Sequence, residues 1–156
     1  MSKYKSIKLL GKGGFGSATL VSLKSDPRKL YVLKEVKVGH ERKAQEDAAR
    51  EAKFLQGLHH PNIVGFVETW MDAGKLYIVM EYADGGDLSQ RVTAIKSSRG
   101  FMSEDEALNL FVQICLALKH MHDRRILHRD LKCQNVFLTK GGIVKVCRRA
   151  ASAACS

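Results

Sequence analysis

The sequence predicts an α+β fold in a single domain, and three observations carry that prediction. Strand-length apolar runs broken by glycine, proline and aspartate turns dominate residues 9–82, interrupted by one helical stretch. Two long segments, Glu41–Leu58 and a second opening at Ser103, space their apolar residues three and four apart, the period of a helix with one buried side. Between the second helix and the C-terminus lies Ile126–Leu138, ILHRDLKCQNVFL, in which a polar cluster is bracketed by apolar residues and should sit on a short loop fixed by its buried flanks. A chain of 156 residues is long enough to bury a core.

Taken in order, Leu9–Val21 reads as a strand, a glycine turn and a second strand. Gly11, Gly13 and Gly16 form GxGxxG, in which missing side chains let backbone N–H groups approach phosphate oxygens. A dinucleotide-binding turn of that pattern needs a helix directly after the glycines, and Ala18–Leu23 is strand-like instead. Residues 25–29, SDPRK, predict a turn, and Leu30–Val38 a third strand carrying Lys34. In the helix Glu41–Leu58 the row Ala44, Ala48, Glu51, Leu55, Leu58 places a carboxylate among apolar residues. Burying it unpaired is costly, so it calls for a cation, for which Lys34 is the candidate. Two plainer readings stand beside this one: Lys34 as the solvent face of its strand, and Glu51 as a flank of the stripe. His60, Pro61 and Asn62 are expected to stop that helix. Ile63–Met71 and Lys75–Tyr82 then predict two strands around the turn DAGK, Asp87–Lys96 a short helix and residues 97–100 a loop. Ser103 and Glu106 form a capping-box pattern, and Ala107, Phe111, Ile114, Leu118 and Met121 give the second long helix a stripe expected to be core.

Composition narrows the function classes. Apolar residues at 45% and charged residues at 27% describe a globular chain, the apolar runs are too short to span a bilayer, and no secretory apolar stretch of normal length opens the sequence. The expectation is a cytoplasmic protein, with cytoskeleton or nucleus as further compartments, and no membrane partner. Cys115, Cys133, Cys147 and Cys155 show no metal-ligand spacing and are read as reduced thiols. The net charge of +10 raises nucleic acid as a partner, but the basic residues are dispersed and not interleaved with aromatics, so none is expected. In the loop, a carboxylate at Asp130 can take a proton from a hydroxyl, an ammonium at Lys132 can neutralise a phosphoryl oxygen, and an amide oxygen at Asn135 can ligate Mg²⁺.

His128, Arg129, Asp130, Leu131 and Asn135 resemble the HRDLxxxN catalytic loop of eukaryotic protein kinases, and Lys132 is the serine/threonine form. Together with YVLKEV, HPNIV and LYIVMEYADGGDL, the chain is most similar to the NIMA-related (Nek) serine/threonine kinases. The resemblance implies a protein-kinase-like fold: a complete N-lobe of five antiparallel strands plus helix C at 4–82, the start of the helical C-lobe at 83–146, and a divergent tail at 147–156. It implies ATP and Mg²⁺ as cofactors and a protein Ser/Thr hydroxyl as substrate. By the same resemblance, Lys34 and Glu51 pair to position the phosphates, Asp130 and Lys132 serve the transfer, and Asn135 holds metal. The lid Leu10, Gly11, Lys12, Gly13, Gly14, Phe15 and Gly16 would cover the nucleotide. Ala18, Val32, the gatekeeper Met80, the backbone of Glu81 and Ala83, and Phe137 as floor would form the adenine slot. Cytoskeletal or centrosomal partners follow from the resemblance alone.

Two departures matter. The family places Val after the last lid glycine and Ala two before the lysine, whereas Ala18 and Val32 stand there, as though bulk had been exchanged across the slot. After Val146 the family continues toward DFG, whose Asp holds Mg²⁺, but here Cys147, Arg148, Arg149 and Ala150 follow. The expectation is a kinase domain truncated just before DFG, a poor catalyst with part of its second long helix facing water. The alternative function is nucleotide or partner binding without turnover.

Overall fold

A computed structural model describes residues 3–14 and 16–148, with side chains throughout except those at 51 and 53–56. The chain divides into two compact units, one of the described residues up to 57 and from 65 to 82, the other of Leu58–Val64 with 83–148.

The first unit is a five-stranded antiparallel sheet in the order β1-β2-β3-β5-β4, with one helix. Its strands are β1 (Tyr4–Gly13), β2 (Gly16–Leu23), β3 (Asp26–Lys37), β4 (Phe66–Asp72) and β5 (Lys75–Glu81). β1 and β2 close at the pair Gly13 and Gly16, as the glycine turn requires. The turn expected over residues 25–29 is shorter than that, because β3 already begins at Asp26, which pairs with Leu23 across an irregularity in the register. The turn DAGK does join β4 to β5: Ala73 and Gly74 both adopt positive φ (45° and 73°) between the paired Asp72 and Lys75, the geometry that matches strand twist. Ile63 is not part of β4, which starts at Phe66.

Alternation along the strands gives the sheet two faces. Tyr4, Val21 and Val79 form a buried cluster on one, joined by Leu23, Tyr31, Leu33 and Trp70. Val36, Leu76 and Ile78 are buried on the other. The helix α1 (Arg42–Gln56) packs against β4 and β5 and has no residue in the first cluster, so it covers the second face. It ends at Gln56, ahead of Pro61, and the glycine at 57 follows it as glycines commonly do. Ala48 and Ala52 are its buried pair, one turn apart; Ala44 is only half-buried, and Leu55 of the expected row lies outside the described side chains.

The second unit begins with α2 (Leu88–Ser97) and α3 (Glu104–Asp123), continues through a 3₁₀ turn at Cys133–Asn135, and ends in the hairpin of β6 (Val136–Leu138) and β7 (Val144–Val146). Residues 62–64 run alongside β7: Val146 N–H donates to Asn62 O, Val64 N–H donates to Val146 O, and Ile63 bridges Val146. α2 has the full reciprocal cap, Asp87 accepting from Gln90 N–H while the Gln90 side chain returns to Asp87 N–H. α3 has half of one: Ser103 accepts from Glu106 N–H, but the Glu106 carboxylate pairs instead with Arg91, at 2.9 Å.

The stripe expected to be core on α3 is rotated. Leu110, Ala117 and Met121 are buried, with Ile114 and Leu118 half-buried, whereas Ala107 is exposed and Phe111 is 62% exposed. Periodicity fixes the helix but leaves its facing ambiguous when apolar residues nearly encircle it, as Leu108, Leu110, Phe111 and Val112 do here.

Candidate active site

Each unit assembles its own share of the expected site residues. In the first unit, cross-strand register places Ala18, Lys34 and Ile78 opposite one another in one row, and Leu20, Val32 and Met80 in the next. Directly paired residues share a face, and so do residues two apart, so Ala18, Val32, Lys34 and Met80 lie together on the face that α1 covers. The exchanged Ala18 and Val32 are thus diagonal neighbours across β2 and β3, the arrangement a trade of bulk requires. Lys34 is half-buried, in line with Ile78, which is fully buried. Glu51 stands on α1 one turn beyond Ala48; its side chain, and with it the pairing to Lys34, lies outside the described residues. Lys34's sequence neighbour Glu35 points to the other side and pairs with Lys75 at 3.1 Å. Glu81 closes the row of β5: its N–H donates to Gly65 O at 2.8 Å and its carboxylate accepts from Gly65 N–H at 3.0 Å.

The lid glycines separate into two kinds. A Cβ on Gly16, whose φ is 149°, would lie 1.8 Å from the backbone oxygen of Glu35, so the fold demands glycine there. Around Gly11, Gly13 and Gly14 a Cβ would meet nothing within 4 Å, and none of the three has positive φ. The sheet gives no reason for glycine at those positions. Leu10 and Lys12 are exposed on β1, and Phe15 lies outside the described residues.

In the second unit, the loop after α3 is tied at almost every residue. His128 is buried; its Nδ1 accepts the Asp130 N–H at 3.3 Å, which leaves Nε2 protonated to donate to Cys147 O at 3.1 Å. Burial holds the His128 imidazole below its usual pKa and the Arg148 cation adds to this, against the opposing pull of the Cys147 carbonyl and the Asp130 charge. The ring is therefore a neutral strut joining the loop to Cys147, the residue after β7. Arg129 takes a left-handed φ of 65°, a conformation costing a non-glycine residue about 1–2 kcal/mol, which turns the chain so that Asp130 faces back toward the 3₁₀ turn. There the Asn135 amide donates to Asp130 O at 2.7 Å and to Asp130 Oδ2 at 3.0 Å, while Lys132 Nζ lies 3.4 Å from Oδ1. Asn135 is itself anchored, its N–H to Lys132 O and its carbonyl accepting from Cys147 N–H. The carboxylate is about one-third exposed and its two oxygens are oriented by different partners. Such a group can align a hydroxyl and accept its proton while the neighbouring ammonium offsets developing negative charge.

Phe137 sits half-buried on β6 between the buried Val136 and Leu138, so it alone of the three points away from the hairpin's core. Ala83 is half-buried at the start of the second unit. Asp84 accepts from Lys140 N–H and Gly85 N–H donates to Leu138 O, which hold the stretch after Ala83 against β6; a Cβ on Gly85 would lie 2.7 Å from that oxygen.

A Mg²⁺ ion takes near-octahedral oxygen ligands, usually including carboxylates. Among the described residues no group of three His, Cys, Asp or Glu side chains converges on a common point. Asn135 donates its amide N–H groups to Asp130 and keeps its Oδ1 as the one oxygen donor of the loop's amide, while Arg148, whose Nε donates to Leu127 O at 3.2 Å, brings a cation beside the loop where the family pattern has an acid. These residues do not fit a Mg²⁺ site.

Sequence reasoning missed one residue that holds this unit together. Gln113 Oε1 accepts from Asn62 Nδ2 at 2.7 Å and from Val144 N–H at 2.8 Å, while its Nε2 donates to Asn109 Oδ1 and Gly142 O. A polar residue three positions after Leu110 on the inward side of α3 was the available signal.

Residues 4–148 match the model of the protein kinase domain. The chain is 48% identical over 147 residues to serine/threonine-protein kinase Nek1 of Mus musculus, covering 94% of this chain and 12% of that protein. It is 49% identical over 146 residues to Nek5 of Homo sapiens, covering 92% and 20%, and 45% identical over 147 residues to Nek3 of Mus musculus, covering 94% and 28%. The chain thus spans well under a third of the length of these relatives. With the five-stranded antiparallel sheet and the tied HRDLKCQN loop beside them, these matches establish that the chain belongs to the protein kinase family, where it is similar to the Nek serine/threonine kinases.

Proposed function

We propose that this chain carries the nucleotide lid and catalytic loop of a Nek-like kinase that transfers the γ-phosphoryl group of ATP to a serine or threonine hydroxyl of a protein in the cytoplasm. One observation supports this reading above the others: Asp130 is held by Asn135 on one oxygen and approached by Lys132 on the other. In this role Asp130 orients the acceptor hydroxyl and takes its proton, and Lys132 steadies the transferred group. Lys34, with Glu51, holds the α- and β-phosphates, and Gly11 and Gly13 admit them close to the backbone. Family members use Mg·ATP, whose metal would supply charge neutralisation on the phosphates; the donor set of this chain does not fit it.

That misfit favours a second reading, nucleotide or partner binding without turnover. Losing one preorganised charge-stabilising group costs about 10²–10³ in rate, and a cation in place of a metal-binding acid should cost more. Nucleotide binding and phosphotransfer measured side by side on this chain, Asp130→Asn and Arg148→Asp distinguish the two. Turnover abolished by Asp130→Asn with binding retained supports the first reading. Binding without turnover in all three supports the second. Absence of nucleotide binding in all three refutes both nucleotide roles.

A further inference from the structure

Residue 148 lies within the stretch that matches the protein kinase domain, at the place where the family pattern has its metal-binding acid. The chain around it is one-sided in charge. From Arg129 to Arg148 it carries five cations, Arg129, Lys132, Lys140, Lys145 and Arg148, against one carboxylate, Asp130. That carboxylate is already engaged, since Asn135 donates to its Oδ2 and Lys132 Nζ stands 3.4 Å from its Oδ1. The Nε bond to Leu127 O holds the Arg148 guanidinium against the residue before His128. Two cations, Lys132 and Arg148, therefore stand at the loop that carries Asp130 and Asn135.

We propose that this chain takes its nucleotide as the free triphosphate, without a divalent cation, and that Arg148 and Lys132 supply the positive charge that the metal supplies in Mg·ATP. The inference rests on the nucleotide-binding reading above and goes beyond it by naming the ionic form of the ligand. The loop offers Mg²⁺ little: both side chains repel it, and in place of a near-octahedral set of oxygens it finds the Asn135 Oδ1 and a carboxylate already paired. A polyphosphate meets the opposite field. Free ATP carries roughly two more negative charges than its magnesium complex, so the same cations attract it more strongly. Guanidinium also suits phosphate in shape. It is planar, always charged, and presents five N–H donors in a fork that matches two oxygens at once, so one bond at Nε orients the group without exhausting it. Arg148 is half-buried, and its charge is screened less than that of the exposed Lys140.

Titration of the purified chain with a fluorescent ATP analogue, once in EDTA and once in excess Mg²⁺ at matched ionic strength, tests this without any substitution. The expected result is binding at least about threefold tighter in EDTA. Arg148→Asp should weaken binding in EDTA about tenfold and reverse the order, so that Mg²⁺ now tightens it. Arg148→Lys, which keeps the charge and loses the fork, should keep the preference for EDTA and weaken binding about threefold. Lys140→Asp makes an equal change of charge in the turn between β6 and β7, at the other end of the hairpin from Arg148, and should leave affinity within about twofold. Circular dichroism establishes that each variant is folded, and the comparison on the parent chain stands by itself if Arg148→Asp is not. Binding by the parent that is equal or tighter with Mg²⁺ overturns the inference and leaves the nucleotide reading intact. An affinity in EDTA unchanged by Arg148→Asp, or lowered as much by Lys140→Asp, overturns the role given to Arg148. Absence of binding in both conditions removes the nucleotide reading, and this inference with it.

Discussion

The lid glycines offer the sharpest separation of folding from function. At Gly16 an added methyl meets the Glu35 carbonyl at 1.8 Å, well inside any tolerated contact, and the obstacle is backbone of a paired strand that cannot swing aside. The φ of 149° adds its own strain, since side-chain-bearing residues rarely adopt it. Overpacking of this kind costs about 1–3 kcal/mol, and with the dihedral term Gly16→Ala should cost about 3 kcal/mol or more. For a chain of this length that lowers the melting temperature by roughly 6–12 °C. At Gly11 and Gly13 the same methyl enters open space on an ordinary backbone, so stability should hold or rise by about 0.4–1 kcal/mol as the unfolded chain loses freedom.

Nucleotide affinity should order the variants the other way. If phosphate oxygens approach the backbone at Gly11 and Gly13, the methyl displaces them, and affinity should fall about tenfold for each. Thermal denaturation and titration with a fluorescent nucleotide, run on the same three single variants, read both quantities. Gly11→Ala and Gly13→Ala that destabilise as much as Gly16→Ala would show that the hairpin, and not a ligand, requires all three glycines. Unchanged stability with unchanged nucleotide affinity would remove the lid assignment itself.

Three further outcomes follow from the geometry. Gln113→Ala leaves the N–H of fully buried Val144 without its acceptor and strips Asn62 of one of two, so denaturant unfolding should show a loss of about 2 kcal/mol, with Gln113→Glu, which keeps both acceptances, losing less. His60, His120 and His128 are all held below the ordinary value of 6.5, chiefly by burial, with Arg124 acting on the first two. Their contribution is complete above about pH 6.5 and is lost as the pH falls below it, because the unfolded chain then binds protons the folded chain refuses; melting temperature against pH should fall less steeply below 6.5 in His128→Asn than in the parent. Ala73→Gly relieves a left-handed φ of 45° in the β4–β5 turn and should raise the melting temperature by about 2–4 °C, a gain of about 1 kcal/mol; a decrease would mean the alanine methyl is itself packed.

What the sequence disclosed, and what it hid, divides by the range of the interaction concerned. The number and order of the strands, the DAGK turn and the Ser103 cap are written in neighbouring residues; the five strands appear in the expected order with some ends shifted, and Ser103 caps α3 without the return bond from Glu106. The tie between Asp130 and Asn135 spans five residues, within reach of a motif, and the structure shows it as two hydrogen bonds. α1 ends at Gln56, two residues short of the expected Leu58, and β3 starts at Asp26 within the stretch expected to turn, because cross-strand pairing with Leu23 extends the strand. Facing is harder still. Which side of α3 is buried depends on β7, about thirty residues downstream, whose Val144 engages Gln113; no local period encodes that choice.

The same reasoning bears on Arg148. Cys147 is bonded at both backbone groups to the catalytic loop, N–H to Asn135 O and carbonyl to His128, so the residue after it is delivered to one place by the backbone whatever its side chain. In a frame so fixed, the guanidinium at 148 brings positive charge beside the loop and adds its own bond to Leu127 O. The main-chain bonds from Cys147 to Asn135 and His128 anchor the loop, the bonds among Asp130, Lys132 and Asn135 shape it, and none of them requires an acid at 148.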